Sequence, residues 1–236
     1  HGTPCGASLK RNQAESYIKA LAGDPLSSYG GVVAFNQKLK KQTAELLTKN
    51  FFEVVTAPEF EKDALKLLRE KKNMRVIKVK KGLKKIEERS FFGGTLIQDV
   101  NSKNSYVNSI NGKNKLNKEK ISFFINVIKN IKSNAIALFD QDSLISQSGG
   151  QTSRVDALLI CLRKFNYQSQ KKKKRSLFLF SDAFFPFIDS LSIIKKQKFN
   201  IDIYAPMGSK NDTKISDYVK KHKLSFFKLS DRHFKH

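Results

Sequence analysis

Tryptophan is absent from these 236 residues, and cysteine, methionine and proline are scarce, at two, two and five. The two cysteines, Cys5 and Cys161, stand far apart with no C-x-x-C spacing, which excludes a disulfide framework and a zinc ribbon. No apolar run approaches the ~20 residues that a membrane-spanning helix needs, and the start shows no charged-then-apolar targeting pattern. A reducing, cytoplasmic setting with no membrane partner is therefore expected. Acidic residues are outnumbered, 21 against 45 basic, giving a net charge of +24.

That charge points to anionic partners: nucleic acid, or phosphorylated and carboxylated metabolites. The lysines are spread through every segment, with one short block at residues 171–175 and few arginines for base readout. Nucleic acid is thus not the expected partner, and a basic nucleic-acid-binding module stands as the alternative reading. A mix of 39% hydrophobic and 28% charged residues fits a globular protein with room for one or two domains. The chain begins on His1 rather than Met and is expected to be a piece of a longer one.

Hydrophobic periodicity alternates strand and helix. Helices are predicted at 11–22, with Ala14, Ile18 and Leu21 inward, and at 37–50 and 58–72. Strands are predicted at 29–35, 51–56 and 74–79. A basic connector leads to Gly93-Gly94 and a strand at 95–99. Residues 100–117, rich in Asn, Ser, Gly and Lys, read as a linker. A second run follows: helix 118–132, strand 135–139, a turn at 140–142, strand 143–147, helix 150–166, strand 177–180, helix 190–198, strand 201–205, helix 212–222 and strand 224–229. Such alternation argues for layered α/β architecture.

Residues 181–189, Ser-Asp-Ala-Phe-Phe-Pro-Phe-Ile-Asp, sit where a buried strand meets a helix. Ligands of open α/β sheets bind at such junctions. Three phenylalanines and a proline between two carboxylates offer one flat apolar wall with charged ends, although an aromatic run is more often core. Residues 146–154 form a glycine-bearing turn opening a helix, where Gln151 and Arg154 are placed to meet a phosphate or carboxylate. Its spacing fits neither the Walker A nor the dinucleotide fingerprint. His1-Gly2-Thr3-Pro4-Cys5-Gly6 presents an imidazole suited to proton transfer near neutral pH. It lacks the second Cys and the Glu of a zinc deaminase, so no zinc is expected. At the other end, His233 and His236 have no third ligand of matching spacing, and Arg232 is the better anion partner.

In order, nine pieces of this chain match one family: residues 1–6, 24–36, 52–58, 71–73, 93–99 (through Gly93-Gly94 and Gln98-Asp99), 132–135, 151–154, 181–189 and 232–236. The chain resembles the transformylase part of the bifunctional purine biosynthesis enzymes, which carry aminoimidazole carboxamide ribonucleotide (AICAR) formyltransferase and IMP cyclohydrolase activities. The resemblance implies two cytidine-deaminase-like three-layer α/β/α units without zinc, at residues 1–116 and 117–236, in a homodimer with shared active sites. It implies formyl transfer from 10-formyltetrahydrofolate to the 5-amine of AICAR, with His1, Asn134 and Asp189 as catalytic residues. Phe92, Gly93, Arg232 and Phe234 would bind the nucleotide. Phe184, Pro186 and Phe187 would flank the reduced folate, with Gln151 and Arg154 on the cofactor side, and Ser133 and Asp182 would lie at a structural potassium site. Phe185 is read as core. The family's Lys directly before the histidine falls outside this sequence, and Thr3 replaces its Asn. The turns at 146–150 and 207–209 also depart from its pattern, which keeps a catalytically lapsed relative among the readings.

Overall fold

The computed structural model describes residues 2–80, 82, 86–168 and 176–235. The first helix, α1 (Gln13–Leu21), starts where the Asn12 side chain accepts from the Glu15 amide at 3.1 Å. It buries Ala14 and Tyr17; Ile18, expected inward, is 52% exposed, so the inward stripe runs through the aromatic residue instead.

Two compact units follow from the chain's packing: His1–Ser28 with Asn104–His236, and Tyr29–Lys103. In the second, β1 (Gly31–Ala34), α2 (Lys41–Leu47), β2 (Phe52–Ala57), α3 (Lys62–Arg69) and β3 (Arg75–Lys78) alternate as expected. The three strands form a parallel sheet in the order β1-β2-β3. An antiparallel hairpin, β4 (Ile86–Phe91) with β5 (Gly94–Asp99), makes a separate two-stranded sheet. It turns at Phe92 and Gly93, the latter at φ 85°, a conformation glycine adopts without a Cβ penalty. β4 lies where the sequence reads as a connector.

The larger unit holds β6 (Val107–Asn111), α4 (Lys118–Ile128), β7 (Ile136–Phe139), β8 (Leu144–Ser148), α5 (Arg154–Gln168), β9 (Leu177–Ser181), α6 (Asp189–Lys195), β10 (Ile201–Pro206), α7 (Asp212–Lys221) and β11 (Phe226–Leu229). Its six strands are ordered β6-β11-β10-β9-β7-β8. β9, β10 and β11 run parallel; β7 is antiparallel to both β8 and β9, and β6 is antiparallel to β11. The expected linker therefore contains a strand, β6, which pairs with the last strand of the sheet. At the opposite edge, residues 7–9 are bonded beside β8, with Leu144 N donating to Ala7 O at 2.9 Å and Leu9 N to Asp142 O at 2.7 Å.

Both faces of this sheet are covered, which explains the near-continuous apolar strands. On one face Ile136, Leu138, Leu177, Leu179, Ile201 and Ile203 meet α5, α6 and α7. On the other, Ala137, Phe139, Phe178, Phe180, Tyr204 and Phe227 meet α4. That second core is largely aromatic: Phe180 stacks on Tyr204 at 4.5 Å, Tyr204 on Phe227 at 4.8 Å, and Phe124 of α4 on Phe139 at 4.2 Å. Tyr204 is the one polar ring in the stack, and its hydroxyl donates to Asn114 Oδ1 at 2.7 Å. Among the described residues, no helix is long and apolar enough to cross a membrane.

Candidate active site

Strand direction decides which residues share a rim of the larger unit's sheet. β9 and β10 end at Ser181 and Pro206, and β7, running the other way, begins at the same end because Ile136 pairs with Ser181. β8 ends there too, since Ser148 pairs with Ile136. The segments around 133–135, 149–154, 181–189, 207–212 and 230–235 consequently meet at one rim, where open α/β sheets bind ligands.

Asn134 is held on both sides of its amide. Its Nδ2 donates to the carbonyls of Gln151 at 2.9 Å and Thr152 at 3.3 Å, and its Oδ1 accepts from Arg154 Nη2 at 2.9 Å. Arg154, the first residue of α5, is buried. Its Nη1 donates to Ser181 Oγ at 2.8 Å and bonds the carboxylate of fully buried Asp182. Asp182 also accepts from the Ala135 amide at 3.2 Å and from the Ser133 hydroxyl. A buried carboxylate is tolerated only when paired and hydrogen-bonded in this way. Arg154, expected on the ligand side, has its guanidinium bonded by Asp182 and Ser181 from the neighbouring strand's end. The same guanidinium bonds the Asn134 amide. Gln151 folds back on the turn, its Nε2 donating to Gly149 O at 3.0 Å. Gly149 is required there: a Cβ would lie 2.3 Å from Ile131 Cγ2 and 2.7 Å from Lys132 O.

The aromatic stretch between β9 and α6 divides. Phe185 is 2% exposed and joins the core, as expected, while Phe184 is half-buried and Phe187 is 59% exposed. The Pro186 carbonyl is fixed by Asn211 Nδ2 at 2.8 Å. Asp189 opens α6 in an exposed position and accepts from the Ser190 amide at 2.7 Å. Arg232 lies with its guanidinium carbon 4.6 Å above the Phe184 ring and donates to Gly208 O at 3.3 Å. Phe234 is 41% exposed, while His233 between them is fully buried.

Eleven expected site residues thus belong to segments of one rim: Ser133, Asn134, Gln151, Arg154, Asp182, Phe184, Pro186, Phe187, Asp189, Arg232 and Phe234. Phe92 and Gly93 form the exposed turn of the β4–β5 hairpin in the other unit. His1 and His236 lie outside the described residues. Sequence reasoning missed Asn211, Ser105 and the inward setting of His233, which shares a 2.8 Å hydrogen bond with Ser105 Oγ through Nε2. Asn211 and Ser105 lie outside the matched stretches, and nothing in 232–236 marks His233 as the residue that turns inward. Among the described residues, no group of three or more His, Cys, Asp or Glu could hold a metal ion.

Fold and site together define the class: a layered α/β protein with a hydrogen-bonded polar site along the carboxyl-end rim of its larger sheet. Residues 1–164 match the model of the AICARFT/IMPCHase bienzyme family, and the chain belongs to that family. Over its full length it is 36% identical to the Bifunctional purine biosynthesis protein PurH of Buchnera aphidicola subsp. Baizongia pistaciae (strain Bp), covering 46% of that protein. It is 35% identical to the PurH of Persephonella marina (strain DSM 14350 / EX-H1), covering 47% of it. With that of Clostridium perfringens (strain 13 / Type A) the identity is 37%, over 46% of the relative. The chain spans about half the length of these curated relatives.

Proposed function

We propose that this chain carries the formyl-transferring activity of a bifunctional purine-biosynthesis enzyme, moving a formyl group from 10-formyltetrahydrofolate to the 5-amine of AICAR. The family match supports this reading, and one contact carries it in the structure. Arg232, expected at the nucleotide, sits 4.6 Å above the ring of Phe184, expected at the folate. Residues for the two substrates are therefore neighbours, as direct transfer between them requires.

The 5-amine is conjugated with its ring and carboxamide and is a poor nucleophile. Attack of its nitrogen on the formyl carbon forms the new C–N bond, the amine proton leaves to a base, and the bond to the folate nitrogen breaks with that nitrogen taking up a proton. His1 is the proposed base. Asn134, its amide fixed by Arg154 and Gln151, orients the formyl oxygen or the carboxamide. Asp189 supplies charge at the folate end, Pro186 and Phe187 flank the pterin beside Phe184, and Gln151 shapes the adjoining turn. Phe234 lines the nucleotide with Arg232. Phe92 and Gly93 are assigned to the base of the nucleotide, in a homodimer whose active sites are shared between subunits.

The two deaminase-like units expected at 1–116 and 117–236 form part of the same proposal, as a statement about the family's repeat. Its support is the alternation of strand and helix in each half. The compact units divide the chain elsewhere because β6 and residues 2–28 pack with the later half. The notional site of a monovalent cation such as potassium is Ser133 with Asp182, a part-buried pair in which the Ser133 hydroxyl donates to one Asp182 oxygen and Arg154 bonds the other. The setting is proposed to be cytoplasmic, with the cyclohydrolase activity in another part of the whole protein.

Formyl transfer by the full-length gene product is the test. Wild-type protein should form the formylated nucleotide, and His1→Ala should lower kcat by about 10²- to 10⁴-fold, the range a general base contributes. Absence of transfer in the wild type overturns the function; unchanged kcat in the variant overturns the base.

A further inference from the structure

The last described residues alternate in exposure: Arg232 and Phe234 outward, His233 fully buried between them. The buried residue is where the segment is tied down. His233 Nε2 and Ser105 Oγ share a 2.8 Å hydrogen bond inside the protein, and the His233 amide donates to Asp182 O at 2.8 Å. Further ties flank it. The Tyr106 amide donates to Ser230 Oγ and the Ser230 amide to Tyr106 O, both at 3.0 Å, and the Ser133 amide donates to Lys235 O at 2.9 Å. Arg232 is thus carried between fixed points, and from there it reaches over Phe184.

Of these ties, only the Ser105–His233 pair joins two side chains within the core. Backbone bonds at 230 and 235 hold the segment's path, whereas a buried side chain decides which residues turn inward. With His233 held in, Arg232 and Phe234 are held out. Losing the hydroxyl removes a partner of a fully buried imidazole, a costly change, and loosens the segment at the point that sets its facing.

We propose that Ser105 and His233 are positioning residues for the nucleotide: a buried pair that keeps Arg232 over Phe184 and so sets affinity for an anionic substrate that neither residue touches. The identity of that substrate rests on the formyltransferase reading; the positioning itself does not.

The experiment uses the full-length protein and the variants Ser105→Ala, Ser105→Thr, Arg232→Ala and the Ser105→Ala/Arg232→Ala double. Ser105→Ala should raise KM for AICAR about tenfold, equivalent to about 1.4 kcal/mol. It should leave kcat within about threefold and KM for the folate unchanged, the signature of lost binding rather than lost chemistry. Ser105→Thr, which keeps the hydroxyl, should restore KM. The double variant should lose clearly less than the two single losses combined, because Ser105 acts in large part through Arg232. Hydrogen exchange of amides 230–235 should quicken about tenfold in Ser105→Ala. If Ser105→Ala does not fold, His233→Gln takes its place in the same comparisons.

Unchanged exchange overturns the proposal, as does faster exchange with unchanged KM or additive effects in the double variant. Failure of the wild type to formylate AICAR sinks the functional reading. The exchange measurement then still decides whether the buried pair holds the segment.

Discussion

Arg154 bonds Asn134 through one guanidinium nitrogen, at 2.9 Å, and Asp182 through the other. A single side chain thereby joins Asn134, two residues before β7, to Asp182, directly after β9, and fixes which way the Asn134 amide faces. The arrangement needs a planar, two-pronged cation, which lysine cannot supply.

Arg154→Lys should therefore lower kcat by about 10- to 100-fold with a smaller change in KM, since displacing the amide proposed to orient the reacting groups by about 1 Å costs on that order. Arg154→Met should do worse, leaving Asp182 buried without its cation at a cost of about 3–5 kcal/mol. Steady-state kinetics and denaturant melts on the full-length protein check the two effects. Wild-type kcat in Arg154→Lys would remove Arg154 from the site.

Gly208 has φ 124°, and a Cβ on it would stand 2.9 Å from Arg232 Nη2. Gly208→Ala is expected to push the guanidinium off Phe184 and strain the backbone, costing roughly 1–3 kcal/mol of stability. KM for the nucleotide should rise while KM for the folate changes less. Equal shifts in both would show that the whole rim had moved.

Asp140 closes the β7–β8 turn. Its carboxylate accepts from the Asp142 amide at 3.0 Å, from the Ser143 amide and hydroxyl at 2.9 and 2.8 Å, and from Lys19 Nζ at 3.2 Å. Burial pushes its pKa up, but the hydrogen bonds and Lys19 outweigh burial, and the net direction is down. A depressed folded pKa contributes stability above the unfolded value near ~3.9, and that stability is lost as pH falls through the folded value. Asp140→Asn should cost about 1–3 kcal/mol at pH 7, with the gap to wild type closing as the pH drops below about 4. A gap that stays constant through acid would refute the assignment.

Burial pushes the Cys161 thiol up to about 12, while burial and then Asp24 raise that of half-buried Cys5. Only the thiolate reacts. Alkylation of native protein at pH 8 followed by peptide mapping should find Cys161 unlabelled and Cys5 labelled slowly, with both labelled in denaturant. Rapid native labelling of Cys161 would contradict its placement in the core.

Most elements were legible because burial imposes a period. β7 and β9 are apolar on both faces and read as short unbroken runs, β10 reads as one interrupted at Asp202, and α4 shows its stripe of Ile121, Phe124, Ile125 and Ile128. β4 has six exposed residues, so nothing in Ile86–Phe91 needed to alternate; its cue was the Phe92-Gly93 turn. β6 is an edge strand with only Val107 and Ile110 apolar, and its pairing with β11 shifts register at Phe226/Phe227, which hides the alternation. In the site, residue types were legible and their partners were not. Nothing near Arg154 in the chain announces that Asp182, 28 residues on, will take up its charge. Likewise Ser105 carries no local signal, because its partner His233 lies 128 residues away.

β9 sends Leu177 and Leu179 to one core and Phe178 and Phe180 to the other before it delivers Ser181 and Asp182 to Arg154. The strand is thus a reading frame as well as a wall. One residue inserted or deleted between Leu177 and Asp182 would exchange the leucine and phenylalanine faces and carry the carboxylate off its cation in the same step. Chains sharing this site can vary the letters of that stretch, but they are bound to keep its count.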